Sequence, residues 1–120
     1  MIRIVALLKR RTDLSFDDFV RHYEQRHAPM AWSAMAGVER YVRRYIHPMA
    51  GAAAPRHPEP LVDVITELWV KDAETLDTVL ARLSAADLAR SLREDEAALF
   101  DLGTLTTYLV DECDSAASTP

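Results

Sequence analysis

Residues 15–29 have the sequence SFDDFVRHYEQRHAP, and this segment decides how the rest of the chain is arranged. Its aromatic and aliphatic residues recur every three or four positions, a spacing that places them along one stripe of an α-helix. Ser15 with Asp18 three positions later predicts the start of the helix, because a serine hydroxyl can accept a hydrogen bond from a free backbone N–H. The stripe becomes polar at Tyr23 and His27. An ionisable ring on a buried stripe indicates either a structural hydrogen bond or a functional site.

Length, charge and cysteine content limit the class of protein. The chain has 120 residues, of which 49% are hydrophobic and 28% charged, and its net charge is −5. A nucleic-acid-binding protein normally carries a basic face, so we expect no nucleic-acid partner. The lone cysteine, Cys113, excludes an intramolecular disulfide framework and suits a reducing cytoplasm. Basic residues interrupt the apolar N-terminal run, so we expect a cytoplasmic protein without a membrane partner.

Hydrophobic periodicity predicts an alternating series of strands and helices. Strands are predicted over residues 2–9, 38–47, 61–70 and 104–110, and helices over residues 15–27, 73–83 and 84–100. The order β-α-β-β-α-β is typical of a ferredoxin-like α+β fold, an antiparallel four-stranded sheet with helices on one face. We expect residues 1–111 to form this single domain and residues 112–120 to form a flexible tail.

A sheet covered by helices on one side leaves its second face bare. Alternation along the third predicted strand places Val64 and Leu68 on that bare face, and Asp63, Glu67 and Trp69 on the face of the helices. A second copy of the chain, packed sheet to sheet, would cover the bare face. We therefore expect a two-fold homodimer.

Three short motifs resemble the EthD-type family of the dimeric α+β barrel superfamily. They are FVRHY at 19–23 running to HAP at 27–29, then GVERY at 37–41, then DVITELWV at 63–70. The resemblance extends over nearly the whole chain and implies the ferredoxin-like fold and the dimeric barrel. The superfamily includes fungal polyketide dehydratases and decarboxylases, and the sequence is also similar to methylmuconolactone methylisomerases, which need no cofactor.

The resemblance implies an acid–base site. A helix histidine and a strand tyrosine serve the lactone chemistry of the methylisomerases, and they match His27 and Tyr41 here. Imidazole is the side chain suited to proton transfer near neutral pH, and a phenol can donate to a developing enolate or lactone oxygen. Asp63 would orient the imidazole or relay protons. The structural alternatives are a backbone hydrogen bond for His27, a core ring for Tyr41 and an ion pair for Asp63.

Further residues are candidates for the walls of a pocket for a flat aromatic ligand. They are Phe19, Tyr23, Trp32, Arg43, His57, Glu67 and Trp69. The aromatic members are equally suited to the core, and Glu67 is better suited to an ion pair with an arginine of the neighbouring strand. His22 and His27 are five residues apart, about 140° around a regular α-helix, so we expect no metal site.

These observations predict a cofactor-independent lyase or isomerase that transfers protons on a small aromatic, lactone or polyketide-like substrate. One alternative is a small oxygen-using monooxygenase or a haem-handling barrel, since related dimeric barrels carry out oxygen chemistry. The other alternative is a non-catalytic accessory protein that binds a hydrophobic metabolite.

Overall fold

A computed structural model describes residues 1–54, 56 and 59–117 of the chain. His57, a predicted pocket residue, lies outside the described residues. Residues 112–117 have no regular secondary structure, although Glu112 pairs with Arg3. The division at residue 111 stays a prediction.

The observed elements follow the predicted order. They are β1 (Ile2–Leu8), α1 (Phe16–His22), a π-helical turn (Tyr23–His27), α2 (Ala28–Trp32), β2 (Val38–Tyr45), β3 (Val64–Val70), α3 (Ala73–Leu83), α4 (Ala86–Leu99) and β4 (Thr106–Val110), with short 3₁₀ turns at Gly51–Ala53 and Leu102–Thr104. The four strands form one sheet in the order β2-β3-β1-β4, and every neighbouring pair is antiparallel. The predicted ferredoxin-like α+β fold is confirmed.

The core lies between the helices and one face of the sheet, which we call the inner face. Leu8 and Val64 of the central strands pack there against Phe19 of α1 and Leu99 of α4, and these side chains are almost fully buried. A second cluster, built around Val38, Val70, Val79 and Leu92, continues the same layer. Ser15 caps α1 as predicted, since its hydroxyl accepts a hydrogen bond from the Asp18 N–H at 3.1 Å.

The predicted faces of β3 are wrong. Tyr41 lies opposite Leu68, whereas Glu67 lies opposite Val42, so Tyr41 and Leu68 share the inner face and Glu67 lies on the outer face. The regular pairing of β3 with β1 places Val64 opposite Leu8 and Leu68 opposite Ile4, and this apolar face is the one that meets the helices. A β-bulge between Val38 and Arg40 affects only the start of β2, where it brings Val38 onto the inner face together with Tyr41. Side chains alternate along a strand, and a one-residue shift therefore exchanges the two faces.

The π-helical turn joins α1 to α2 and departs from the regular helix that the sequence predicts. The N–H of Ala28 donates to the carbonyl of Tyr23, five residues back, rather than to the residue four back. Pro29 follows directly; a proline has no N–H, and its ring clashes with the carbonyl four residues back in an α-helix. The wider turn relieves that clash. Among the described residues, no helix has the length and apolar character needed to cross a membrane.

Candidate active site

A cavity of about 570 Å³ lies between the inner face of the sheet and the helices. This volume falls within the range of about 300–1,000 Å³ that is usual for small-molecule sites. Most of the wall is apolar, and its main aliphatic members are Ile4, Ala6, Leu8, Ala31, Met35, Leu68, Leu83 and Leu92. The polar side chains of the wall are Tyr23, His27, Tyr41, Thr66, Ser84, Arg93, Glu96, Thr107 and Tyr108. The cavity is thus an apolar space with a few polar groups at its wall.

His27 is buried in this wall, with 5% of its surface exposed. Its Nδ1 lies 2.8 Å from Oδ2 of Asp95. An ionised carboxylate can only accept hydrogen bonds, so the neutral form of the ring that fits this contact has its proton on Nδ1 and its lone pair on Nε2. The rings of Tyr23 and Phe100 meet the imidazole edge to face, with centroids 5.4 and 5.6 Å away, and they hold its orientation.

Asp95 links the helical segments of the site. Its side chain is 3% exposed, and its second oxygen, Oδ1, lies 2.7 Å from Nε2 of His22 and 3.2 Å from Nε of Arg26. A buried carboxylate needs such partners, because burying an unpaired charge is strongly unfavourable. Asp95 is therefore fully paired by side chains from a single stretch of the chain.

The π-helical turn explains how two histidines reach one carboxylate. In a regular helix His22 and His27 would point about 140° apart. With i→i+5 bonding, residues five apart come onto the same side, and both rings contact Asp95. The expectation that these rings diverge is wrong for this reason. Within the part of the chain that the structure describes, no group of three or more His, Cys, Asp or Glu side chains is arranged to hold a metal ion.

Hydroxyl groups form a short chain beside the imidazole. Tyr41 donates to the hydroxyl of Tyr23 at 3.3 Å, and the hydroxyls of Tyr23 and Thr66 are 2.7 Å apart. Burial raises the pKa of both tyrosines above the ordinary value for a phenol. Both rings therefore stay neutral at physiological pH and act as hydrogen-bond donors rather than as bases.

Glu96 adds a carboxyl group to the wall of the cavity. Burial raises its pKa above the ordinary value, while the nearby His27 and Arg93 oppose that rise. A carboxyl group in this environment keeps its proton to higher pH than an exposed glutamate does. The site thus combines an imidazole, a carboxyl group and neutral phenols, which are the groups of acid–base chemistry.

The structure brings three of the predicted residues together, since Tyr23, His27 and Tyr41 all line the cavity. It places Asp63 elsewhere: this buried carboxylate accepts from the Arg10 N–H at 2.8 Å and lies 3.5 Å from the Arg10 guanidinium. The position beside the imidazole that we expected for Asp63 belongs to Asp95.

Glu67 and Trp69 lie on the outer face, away from the cavity. Glu67 pairs with Arg44 at 3.3 Å, which confirms the expected ion pair across the hairpin. Trp69 packs between the guanidinium groups of Arg3 and Arg40, at 3.8 and 4.4 Å from its ring. Their predicted place in the pocket is wrong, because the alternate residues of β3, which include Val64 and Leu68, are the ones that face the helices.

The remaining predicted wall residues have other positions. Phe19 is fully buried in the core, where it packs against Tyr23 and Phe100. Trp32 stacks on Tyr41 with centroids 6.2 Å apart, and both side chains line a second cavity of about 410 Å³ together with Arg43. Arg43 lies 4.5 Å from the Tyr41 ring.

Asp95 and Glu96 belong to the candidate site but were not predicted from the sequence. A signal for Asp95 was present: Leu88, Leu92, Asp95 and Leu99 are spaced by four, three and four residues, which is one stripe of α4. A carboxylate within an otherwise aliphatic stripe must meet a cationic or hydrogen-bonding partner. Applied to α4, that rule would have directed attention to a histidine or arginine on the facing helix.

Comparison with known proteins agrees with the observed fold. A model of the EthD domain family matches residues 11–103, while no curated protein matches the sequence. An ethyl tert-butyl ether D (EthD) family protein from Bacillus halodurans C-125 is 20% identical, with a TM-score of 0.63 over 94% of this chain and 99% of that chain. HapK from Hahella chejuensis is 12% identical, with a TM-score of 0.60 over 100% of both chains. A dimeric ferredoxin-like protein of unknown function from Bacteroides fragilis is 7% identical, with a TM-score of 0.50 over 91% of both.

Proposed function

The chain belongs to the EthD domain family, and from that premise we propose that it is a cofactor-independent enzyme of the lyase or isomerase type. Its substrate would be a small aromatic, lactone or polyketide-like molecule, and its chemistry a proton transfer. One observation carries the proposal: the buried ring of His27 is oriented by Asp95 at 2.8 Å and forms part of the cavity wall.

His27 is the general base of the proposed reaction. With the proton on Nδ1 held by Asp95, Nε2 is free to take a proton from a carbon next to a carbonyl group. The ring becomes positively charged in that step, and the buried carboxylate stabilises the charge. Glu96, whose pKa is raised by burial, can return a proton to the product.

The neutral phenols stabilise the oxyanion that such a step produces. Proton loss beside a carbonyl places negative charge on its oxygen, and a hydrogen-bond donor at that oxygen lowers the barrier. Tyr41 and Tyr23 supply hydroxyl groups at the cavity wall. The wall around these hydroxyl groups is mostly aliphatic, and electrostatic interactions are stronger in such weakly polar surroundings than in bulk water.

Deuterium exchange tests the proposal before the natural substrate is known. Small aromatic lactones and polyketide-like ketones are incubated with the protein in D₂O, and mass spectrometry follows deuterium entry at carbon. We expect exchange with the wild-type protein, and a rate about 10²–10⁴-fold lower with His27→Gln. His47→Gln, which changes an exposed histidine, is the matched control and should exchange as wild type. Equal rates for His27→Gln and wild type would contradict the proposed base.

We further propose that a second copy of the chain covers the outer face of the sheet. Trp69 lies there between Arg3 and Arg40, and the central apolar residues of that face are only partly buried. These residues are Val5, Leu7, Val42 and Ile65. The dimeric protein from Bacteroides fragilis supports the assembly. We expect light scattering to report a dimer for the wild type and a monomer for Ile65→Asp, while Ala81→Asp, an exposed change on α3, should stay dimeric. A monomeric wild-type protein would refute this assembly.

A further inference from the structure

The cavity opens to solvent along one side, which we call the mouth. Six of the described wall residues are exposed, and they belong to α3, to the turn that follows it, to α4 and to β4. They are Leu80, Ser84, Arg93, Thr107, Tyr108 and Leu109. The wall at Tyr23, His27 and Thr66 is buried and lies deeper. A molecule that fills the cavity would therefore have one end beside the acid–base groups and the other end at the mouth.

Arg93 gives the mouth a positive charge. Within residues 1–54, 56 and 59–117, it is the only arginine or lysine that lines the cavity. Every ion pair that α4 forms with another described residue involves Asp95, so the Arg93 guanidinium has no carboxylate partner among these residues. The chain as a whole carries a net charge of −5, so a local cation is needed to attract an anion to this part of the surface. Arg93 is thus available to a ligand.

The position of Arg93 on α4 relates the mouth to the proposed chemistry. Arg93 and Glu96 both line the cavity and are three residues apart, so they lie on one side of the helix, about 5 Å apart along its axis. Burial raises the pKa of Glu96, which favours the uncharged form that does not repel an anion. Leu80 and Leu109 add apolar surface to the mouth. An anionic group bound to Arg93 would therefore lie close to Glu96, with the apolar part of the ligand in the cavity.

We propose that Arg93 binds a carboxylate group of the substrate at the mouth, and that the substrate is an organic acid with an apolar body. A guanidinium donates two parallel hydrogen bonds to a carboxylate, and this planar pairing orients the acid. A phosphate group carries up to about two charges at neutral pH, whereas a single arginine lines the described wall, so the carboxylate is the better match. That the bound acid is also the substrate rests on the proposed function, but its binding does not.

Equilibrium binding tests this inference without turnover. Calorimetric titration of the whole protein compares naphthylacetate, naphthylpropionate and phenylbutyrate with their primary amides, which have nearly the same shape but no charge. We expect at least one acid to bind the wild-type protein about 5–10-fold more tightly than its amide does. Equal affinity within every pair, or no binding of any acid, would overturn the proposal.

Substitution of Arg93 shows whether this side chain recognises the acid. In Arg93→Gln we expect the affinity for the acid to fall about 5–10-fold, while the affinity for the amide stays at the wild-type value. Arg90→Gln is the matched control, because it removes the same charge from an exposed position of α4 outside the described cavity wall, and it should bind both probes as wild type does. Unchanged binding of the acid by Arg93→Gln would overturn the proposal. A protein that prefers acids through Arg93 but exchanges no deuterium would contradict the proposed base alone.

Discussion

Replacing Asp95 by asparagine tests the central contact of the site, because one side chain holds both histidines. Asparagine has nearly the same shape but no charge, and it has one acceptor oxygen instead of two. It can accept a hydrogen bond from His27 or from His22 but not from both. The variant thus loses all charge assistance, and the ring that meets the amide N–H₂ can keep a hydrogen bond only by changing its tautomer.

The size of the effect follows from the burial of each partner. The bond between Asp95 and His27 lies almost entirely out of solvent, and a buried hydrogen bond to a charged group contributes about 1.5–3 kcal/mol. The contact with Arg26 contributes little, because that side chain is 71% exposed and solvent screens the pair. Since asparagine keeps one contact, we expect the free energy of unfolding to fall by about 2 kcal/mol. In a domain of this size, that corresponds to a Tm lower by about 8 °C.

Thermal unfolding followed by circular dichroism at pH 7 measures this change. Glu94→Gln is the matched control, because it removes the same charge from the preceding, exposed position of α4. We expect its Tm to lie within about 1–2 °C of wild type. If Asp95→Asn had the same Tm as the control, the contacts of Asp95 would not stabilise the fold. Asp95 would then give no reason to expect a fixed orientation of the His27 ring.

Three further substitutions test other parts of the structure. Tyr41→Phe removes one long hydrogen bond, so we expect its Tm to lie within about 3 °C of wild type. We expect deuterium exchange into the substrate to be about 10–10²-fold slower. Unchanged exchange would exclude Tyr41 as a hydrogen-bond donor to the oxyanion. Burial raises the pKa of Glu96 above its ordinary value of 4.5, so the unfolded chain loses this proton at a lower pH than the folded protein does. The free energy of unfolding therefore falls as the pH rises from 4.5 through the raised pKa of the folded protein. The Tm of Glu96→Gln should therefore lie about 1–3 °C above that of wild type at pH 7 and equal it at pH 4. A Tm below that of wild type at pH 7 would refute the effect of burial on Glu96. Gly37 has φ +97°, and a Cβ there would lie 2.9 Å from the Thr75 methyl, so Gly37→Ala should lower the free energy of unfolding by about 1–2 kcal/mol in urea titration.

The order of elements and the location of the site follow from local sequence patterns. The stripe that ends at His27 predicted the first helix, and the alternation along residues 38–47 correctly placed Tyr41 and Arg43 on one face. These patterns depend only on spacing within one element, and spacing is visible in the sequence. The sequence was therefore enough to predict that Tyr23, His27 and Tyr41 lie close together at one site.

The errors arose where two elements have to be placed against each other. Alternation along β3 defines its two faces, but the packing of the helices decides which face is the inner one, and that packing is not visible within the strand. The π-helical turn likewise changes the direction of His22, although Pro29 was a warning that a regular helix would not continue. The spacing in α4 marks Asp95 as a carboxylate on an apolar stripe, but only the packing of α4 against the π-helical turn shows that its partner is His27.

The exposed position of β4 has a consequence for how a ligand enters and how it can be detected. Within the part of the chain that the structure describes, this strand pairs only with β1, and all five of its residues are exposed. Leu109, 73% exposed, forms part of the cavity wall. Opening such an edge disrupts little of the core, so its amides should be the first in the sheet to exchange with solvent. A molecule that occupies the cavity would hold this strand in place. Slower amide exchange confined to Thr106–Val110 would therefore identify ligands in a compound library without any assay of turnover.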